Sequence, residues 1–178
     1  MPLSRRPGVV RSGWLSKEGP HTLSKAFPSR RFCVVVDGRL EYYEEKGVPL
    51  HLQAGGSSGC ELTDWNLVVH VMQPDAQGVA IGDIITAIDG LELGKPLDAE
   101  INARGLNKAS SSHKLALLRP KGDVPLADAL VESIGRDRIQ ITPKELNTRP
   151  PYVFIANGEA SRNDWLEAIE QHARSLTG

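Results

Sequence analysis

Short apolar runs separated by turn residues mark the first part of the chain. Gly13-Trp14-Leu15 begins the pattern, and a β-branched and aromatic run follows over residues 32–36. Asp37-Gly38 separates this run from Leu40-Glu41-Tyr42-Tyr43, and an Asp-Gly pair between two such runs is typical of a β-hairpin. The pattern therefore predicts three antiparallel strands within residues 1–46.

The pattern changes at Gly47-Val48-Pro49, and strands of the same style resume only after Gly122. This later block predicts short strands over residues 124–134, 138–142 and 151–156, followed by an amphipathic helix. We expect the helix to begin after Ser161, whose hydroxyl can cap its first turn. An apolar stripe at helical spacing would then pack on the sheet. The stripe consists of Trp165, Ala168, Ile169, His172, Ala173 and Leu176.

Composition and charge exclude some of the functions that the protein could have. Hydrophobic residues make up 40% of the 178 residues, which is enough for a packed core, and the net charge of −1 gives no general attraction to nucleic acid or anionic membranes. Residues 1–46 carry nine Lys or Arg against five Asp or Glu, whereas the rest of the chain is net acidic. The basic residues lack interleaved exposed aromatics, so we expect no nucleic-acid partner.

Catalytic and metal-binding motifs are absent from the sequence. It has no phosphate-binding glycine loop, no Cys-x-x-Cys, and no metal spacing among its five histidines. Cys33 and Cys60 are the only cysteines, and without a signal peptide we expect both to be reduced in the cytoplasm. We predict no catalytic residue, no metal and no cofactor. An enzymatic alternative would use Cys60 with a distant histidine and would require a lowered thiol pKa.

Three pieces of sequence resemble the pleckstrin-homology (PH) family. They are Gly13-Trp14-Leu15 with Lys17, the stretch from Arg31 to Tyr43, and Tyr152-Val153-Phe154 followed by Asp164-Trp165-Leu166. The resemblance implies a β-sandwich or barrel capped by a C-terminal helix, formed by residues 9–46 and 121–176. It also implies that Trp14 and Trp165 pack in the core.

The stretch from Leu67 to Gly90 resembles the centre of a PDZ domain, in which an apolar residue, Gly-Asp, an apolar strand and Asp-Gly recur. The resemblance places a helix over Pro96–Arg104 and a last strand over His113–Pro120. The expected fold is thus mainly β (α+β), with a PDZ-like insert at residues 48–120 between the third and fourth strands of the PH-like domain. Syntrophins, which are membrane-linked cytoskeletal adaptors, have a similar arrangement.

The PH resemblance implies a phosphoinositide site. In that family, a lysine near the end of the first strand and a basic-x-Arg pattern at the start of the second bind the headgroup, and Lys17 and Arg31 match these positions. Ser29 occupies the other basic position. Lys25 and Arg30 are further candidates, although Arg30 and Arg31 point to opposite faces of an alternating strand.

Acidic residues weigh against a high-affinity headgroup site. Glu44 and Glu45 follow the third predicted strand and place negative charge near the expected phosphate position. Specific headgroup recognition, weak attraction to anionic membranes and a purely protein-facing role therefore remain three open alternatives.

The PDZ resemblance implies a groove for a C-terminal peptide. Its carboxylate-binding loop would contain Ser58, Gly59 and Cys60 and lead to Leu62, and Asp98 would face the peptide from the helix. The family prefers an apolar residue in place of Ser58, an aromatic in place of Cys60, and commonly histidine in place of Asp98. A working peptide groove and a structural insert that has lost its ligand are both consistent with these departures.

The sequence thus predicts a non-enzymatic adaptor in the cytoplasm, peripheral at a membrane or the cytoskeleton. The PH-like domain would dock on a phosphoinositide or anionic membrane surface, and the PDZ-like groove would take a protein C-terminal peptide. The alternative is a protein-protein or cytoskeletal adaptor with no lipid binding.

Overall fold

A computed structural model describes residues 2–20, 25–53, 56–72, 78–108, 112–144 and 150–175. Its strands are β1 (Arg11–Lys17), β2 (Ser29–Val36), β3 (Arg39–Leu50), β4 (Cys60–Leu62), β5 (Val68–Val71), β6 (Ile84–Ile88), β7 (Leu91–Glu92), β8 (His113–Pro125), β9 (Leu130–Ile134), β10 (Arg138–Thr142) and β11 (Tyr152–Ile155). Its α-helices are α1 (Leu97–Ala103) and α2 (Glu159–Ser175), and short 3-10 helices cover Pro2–Arg5 and Leu106–Lys108.

The chain divides into two compact units. The first unit contains residues 8–44 and 121–178, and the second contains residues 1–7 and 45–120. Strands β3 and β8 each contribute residues to both units. The sequence predicts domains of 9–46 with 121–176 and of 48–120, and it assigns residues 1–7 to neither.

The strands of the first unit form an open, antiparallel sheet in the order β8-β3-β2-β1-β11-β10-β9. The prediction of a mainly β fold with a C-terminal helix is confirmed. The sequence predicted a sandwich or a barrel. The described strands do not close into a barrel, because β8 and β9 stand at opposite ends of the strand order.

The three predicted N-terminal strands are confirmed as β1, β2 and β3. Asp37 and Gly38 both have positive φ, 47° and 76°, which is the conformation of a tight hairpin turn between β2 and β3. Strand β2 is buried at five consecutive positions, residues 32–36, so both of its faces are covered. This explains why its sequence is a continuous apolar run instead of an alternating one.

Helix α2 packs its apolar stripe on the core of the first unit. The core combines residues from six strands, the segments after β8 and β11, and this helix; its members are Leu15, Cys33, Val35, Leu40, Val124, Leu126, Ile139, Ile141, Phe154, Ala156, Trp165 and Ile169. Trp165 is only 2% exposed, which confirms its predicted core position. Trp14 does not belong to this cluster: it is half-buried and meets Phe32 edge-on at 5.2 Å between ring centroids. The predicted core role of Trp14 is therefore wrong.

Two predicted boundaries in the first unit also differ from the structure. Helix α2 begins at Glu159, so Ser161 lies inside the helix instead of capping it. The single strand predicted over residues 124–134 is divided by a turn, in which Ala129 donates to the Leu126 carbonyl and Asp128 has a φ of 54°. Leu176 lies outside the described residues.

The second unit is α+β. Strands β7, β6, β8 and β3 are neighbours in one sheet, and β4 pairs with β5 in a separate two-stranded sheet. The predicted helix over Pro96–Arg104 is α1, and the predicted last strand is β8, which continues to Pro125. Residues 73–77 of the PDZ-like stretch lie outside the described residues. The core is formed by Val48, Leu50, Cys60, Val68, Val71, Val79, Ile85, Ile88, Leu93, Leu97, Ile101, Leu115 and Leu117.

Neither α-helix of the described segments is long and apolar enough to cross a membrane.

The two tryptophans of the first unit provide a stability test. Trp165→Ala should lower the free energy of unfolding by about 3–5 kcal/mol, because it leaves a cavity in the core. Trp14→Ala should lower it by only about 1–2 kcal/mol, because this ring is half-buried and loses its contacts with Phe32 and the Arg30 guanidinium. Urea denaturation of both variants and the wild type measures these values. Equal losses would contradict the assignment of α2 as the element that completes the core.

Candidate functional site

Strand register brings two of the predicted cations to the same face of the first unit. Lys17 lies opposite Ser29, and Leu15 lies opposite Arg31, in the pairing of β1 with β2. Since side chains alternate along a strand and cross-strand partners share a face, Lys17 and Arg31 lie on the side that carries Leu15 and the core. They stand at the end of that face, beyond the last buried apolar residues.

Lys17 and Arg31 line a cavity of about 210 Å³, called here the basic cavity. It is lined by Lys17, Glu18, Gly19, Pro20, Ser29, Arg31, Tyr42 and Lys121. The Lys17 ammonium lies 5.2 Å from the centroid of the Tyr42 ring and 5.5 Å from that of Tyr152. Tyr42 and Tyr152 thus pack against the apolar core and also contact the Lys17 ammonium.

The electrostatics of the basic cavity favour an anion. Burial and the neighbouring Arg31 guanidinium hold the pKa of Lys17 below its ordinary value. Among the described residues, neither cation has a carboxylate within 4 Å. Two close cations without a neutralising acid stabilise a bound anion.

Nearby acids are paired with other cations. Glu18 lies 3.5 Å from Arg138, and Glu44 lies 3.6 Å from Lys121. Glu44 does not line the basic cavity. Both acids nevertheless stay near the cavity, since Glu18 lines it and Glu44 pairs with its lining residue Lys121, so the opposition of acids to a phosphate is only partly removed.

The remaining predicted cations occupy different places. Arg30 lies over the Trp14 ring at 4.0 Å, on the face opposite to Arg31, as alternation predicts. The Arg31 guanidinium donates to the Arg30 carbonyl at 2.9 Å. Lys25 lines a neighbouring cavity of about 380 Å³ that also includes Lys17. Lys17 therefore lines one cavity with Arg31 and another with Lys25, and Arg30 lines neither.

The sequence did not predict the cavity residue Lys121, or the glycine that lies against the cavity residue Tyr42. Lys121 lines the basic cavity from the start of the first-unit part of β8. Gly122 has a φ of +155°, and a Cβ there would lie 2.5 Å from the Tyr42 hydroxyl oxygen. Glycine is therefore required for the Tyr42 ring to reach its position. The Lys-Gly pair that opens the later strand block was the available signal.

In the second unit, a cleft lies between β4 and α1. Its volume is about 440 Å³, and we call it the β4–α1 cleft. It is lined by Ser57, Gly59, Cys60, Glu61, Leu62, His70, Met72, Pro96 and Asp98. Four of the five predicted peptide-binding residues are in this set, and the fifth, Ser58, is buried beside it and bonded to Asp98. The structure thus brings all five together.

Asp98 is tied to the loop that precedes β4. Its Oδ1 accepts a hydrogen bond from the Ser58 backbone N–H at 2.9 Å. The Cys60 N–H donates to the Ser58 hydroxyl at 3.3 Å. Two backbone donors of the predicted carboxylate-binding loop therefore already have acceptors within the protein.

Buried polar side chains hold α1 in place. Asn66 accepts a hydrogen bond from the Leu97 N–H at 2.9 Å and donates to the Lys95 carbonyl at 3.2 Å. Glu100 accepts from the N–H groups of Gly94 and Lys95. These bonds order the start of the helix and so fix the position of Asp98.

The cysteines are poor nucleophiles at neutral pH. Burial, with the carboxylates of Asp98 and Asp83, raises the pKa of Cys60 to about 11. Burial raises the pKa of Cys33 to about 12. The lowered thiol pKa that a Cys60-based enzyme would require is not found. Within the described ranges, no group of three His, Cys, Asp or Glu could hold a metal ion.

No protein-family model matches the sequence, and no curated protein matches it significantly. The resemblances to PH and PDZ domains therefore rest on the quoted motifs and stay predictions. What the protein does has to be inferred from the geometry of its own residues.

The proximity of Lys17 and Arg31 can be tested by titration. Arg31→Gln should raise the pKa of Lys17 toward its ordinary value of 10.5, because it removes the neighbouring positive charge. Arg30→Gln should leave it unchanged, because Arg30 lies on the opposite face. Heteronuclear NMR of the lysine side chain across alkaline pH measures both.

The lowered pKa of Lys17 also predicts how the free energy of unfolding changes with pH. The folded chain holds the Lys17 proton less tightly than the unfolded chain does, so the free energy of unfolding from this group rises with pH between the lowered pKa and 10.5. Arg31→Gln should weaken this rise. An unchanged Lys17 titration in Arg31→Gln would show that the two side chains are not close in solution.

Proposed function

We propose that this protein is a non-enzymatic adaptor whose first unit, a PH-like domain, binds the phosphorylated headgroup of a membrane phosphoinositide in the basic cavity. The observation that carries the proposal is the convergence of Lys17 and Arg31 on one cavity, with no described carboxylate within 4 Å of either cation. This binding would recruit the protein from the cytoplasm to the membrane surface.

The chemistry of the cavity suits a phosphate better than a carboxylate. Arg31 presents a planar set of donors that can engage two phosphate oxygens, while Lys17 supplies a compact charge beside it. Ser29 adds a hydroxyl, Lys121 lines the same cavity and also pairs with Glu44, and Lys25 lines the neighbouring cavity that shares Lys17. Several cations around one small cavity favour a headgroup with more than one phosphate.

Phe27 supports a membrane as the source of the headgroup. Its side chain is 77% exposed, and in the sequence it stands between Lys25 and the two arginines at the start of β2. An aromatic ring flanked by cations suits the boundary between lipid headgroups and acyl chains. The anion would then be bound while the ring enters the membrane surface.

The second unit provides the other surface that an adaptor needs. The β4–α1 cleft lies beside a strand that pairs only with β5 among the described strands, so its other edge is available to an added strand. We propose that this PDZ-like cleft binds an extended peptide.

Vesicle co-sedimentation at physiological salt tests the lipid proposal. Vesicles with one phosphoinositide are compared with phosphatidylserine vesicles of equal surface charge, so that only headgroup recognition separates them. The wild type should prefer phosphoinositide. Arg31→Glu should reduce phosphoinositide binding at least about tenfold, because it removes a charge-assisted contact and introduces repulsion.

Arg30→Glu is the matched control, since it makes the same charge change one residue away on the opposite face. It should retain the preference for phosphoinositide even where overall binding falls. Soluble inositol phosphates should compete with the vesicles if the headgroup occupies the cavity. Equal loss in both variants would indicate non-specific attraction, and no binding to any vesicle would favour the protein-only adaptor.

The contribution of Phe27 can be separated from that of the cations. Phe27→Ser should weaken binding to both vesicle types, by about tenfold, without altering the preference between them. Leu130→Ser, which removes another exposed apolar side chain of the same unit, should have no effect. A loss of preference in Phe27→Ser, or an equal effect of Leu130→Ser, would contradict membrane insertion of this ring.

A further inference from the structure

The β4–α1 cleft has an unusual distribution of hydrogen-bond donors for a site that would take a terminal carboxylate. Such a site needs backbone N–H groups with no other acceptor. Here the Ser58 N–H already donates to the Asp98 carboxylate, at 2.9 Å, and the Cys60 N–H donates to the Ser58 hydroxyl. The Asp98 side chain therefore occupies the place of a ligand carboxylate.

The charges that line the β4–α1 cleft also disfavour a ligand carboxylate. Of its nine lining residues, Glu61 and Asp98 are acidic, none is Lys or Arg, and His70 is the only basic group. The raised pKa of Cys60, to which Asp98 and Asp83 contribute after burial, reflects the same negative surroundings. A second carboxylate beside Asp98 would be repelled, whereas a cationic side chain would be attracted.

The rest of the lining is apolar. Met72 is 68% exposed, and it shares the cleft with Leu62, Cys60 and Pro96. These side chains offer contact area to an apolar group, and methionine adapts its shape to different partners. The open edge of β4 offers main-chain hydrogen bonding along an extended segment.

We propose that the β4–α1 cleft binds an internal, extended peptide segment in which Lys or Arg stands near an apolar residue, and that Asp98 excludes a free C-terminal carboxylate. This inference rests on the proposed peptide-binding function and specifies its ligand. It departs from the terminal-peptide recognition that the PDZ resemblance implies.

A peptide array tests the proposal with the full chain. Random ten-residue peptides are displayed in two versions, one with both termini blocked and one with a free C-terminal carboxylate, and are probed with labelled wild-type protein. Selected sequences are then measured in solution by fluorescence polarisation. Blocked peptides with a Lys or Arg beside an apolar residue should be selected, and replacing that cation by Ala should weaken binding about tenfold.

Two changes at Asp98 separate its two roles. In Asp98→Asn, the amide oxygen can still accept from Ser58, but the charge is lost, so binding of the basic peptides should fall about tenfold. In Asp98→Ala, the Ser58 N–H is released, so peptides with a free carboxylate should gain relative to their blocked counterparts. Asp64→Asn, an exposed acid outside the cleft lining, is the matched control and should bind like the wild type.

The outcomes distinguish this inference from the proposed function on which it rests. If the wild type selects free carboxylates over blocked peptides, the cleft binds peptide but the assignment of Asp98 is wrong. If no peptide binds the wild type and its thermal unfolding shows an intact fold, peptide binding itself fails and the inference fails with it. Equal weakening by Asp98→Asn and Asp64→Asn would also overturn it.

Discussion

The pairing register of β1 with β2 is the constraint on which the first unit depends. It places Leu15, Cys33 and Val35 on one face, where they meet α2, and the same alternation carries Lys17 and Arg31 to the end of that face. A slip of one residue would exchange the faces and turn both cations away from the cavity. The core and the basic cavity are therefore two parts of one strand pattern.

The two units use charge in opposite ways. In the first, Lys17 and Arg31 are brought together with no described carboxylate within 4 Å of either, although Glu18 also lines their cavity. In the second, the Asp98 carboxylate accepts from the Ser58 N–H, and the Ser58 hydroxyl accepts from the Cys60 N–H. An adaptor with these surfaces would recognise an anion at one unit and a cationic segment at the other, so each ligand would be disfavoured at the wrong site.

Local patterns predicted the strands, and long-range contacts explain what was missed. Asp37-Gly38, the apolar run of β2 and the stripe of α2 each determine structure within a few residues. The core role of Trp14 was wrong because the period of a strand decides its face, and Trp14 shares its face with Arg30 instead of with Leu15. Lys121 lines the basic cavity, and Gly122 lies close to Tyr42, on a strand about a hundred residues away from β1. The Lys-Gly pair marks where this strand block begins, but no local signal encodes its proximity to β1. The predicted peptide-site residues do come together. The hydrogen bond from the Ser58 N–H to Asp98 could not be predicted, because it joins residues that are 40 positions apart in the sequence.

Glu44 and Lys121 are the residues at which the chain leaves and re-enters the first unit, and their charged groups lie 3.6 Å apart. A turn of a few residues could join them and make β3 and β8 an ordinary hairpin. The first unit is thus complete in its own strand order without residues 45–120. In evolutionary terms, a guest sequence could enter this hairpin without rearranging its host, and the surface of each unit could then change separately.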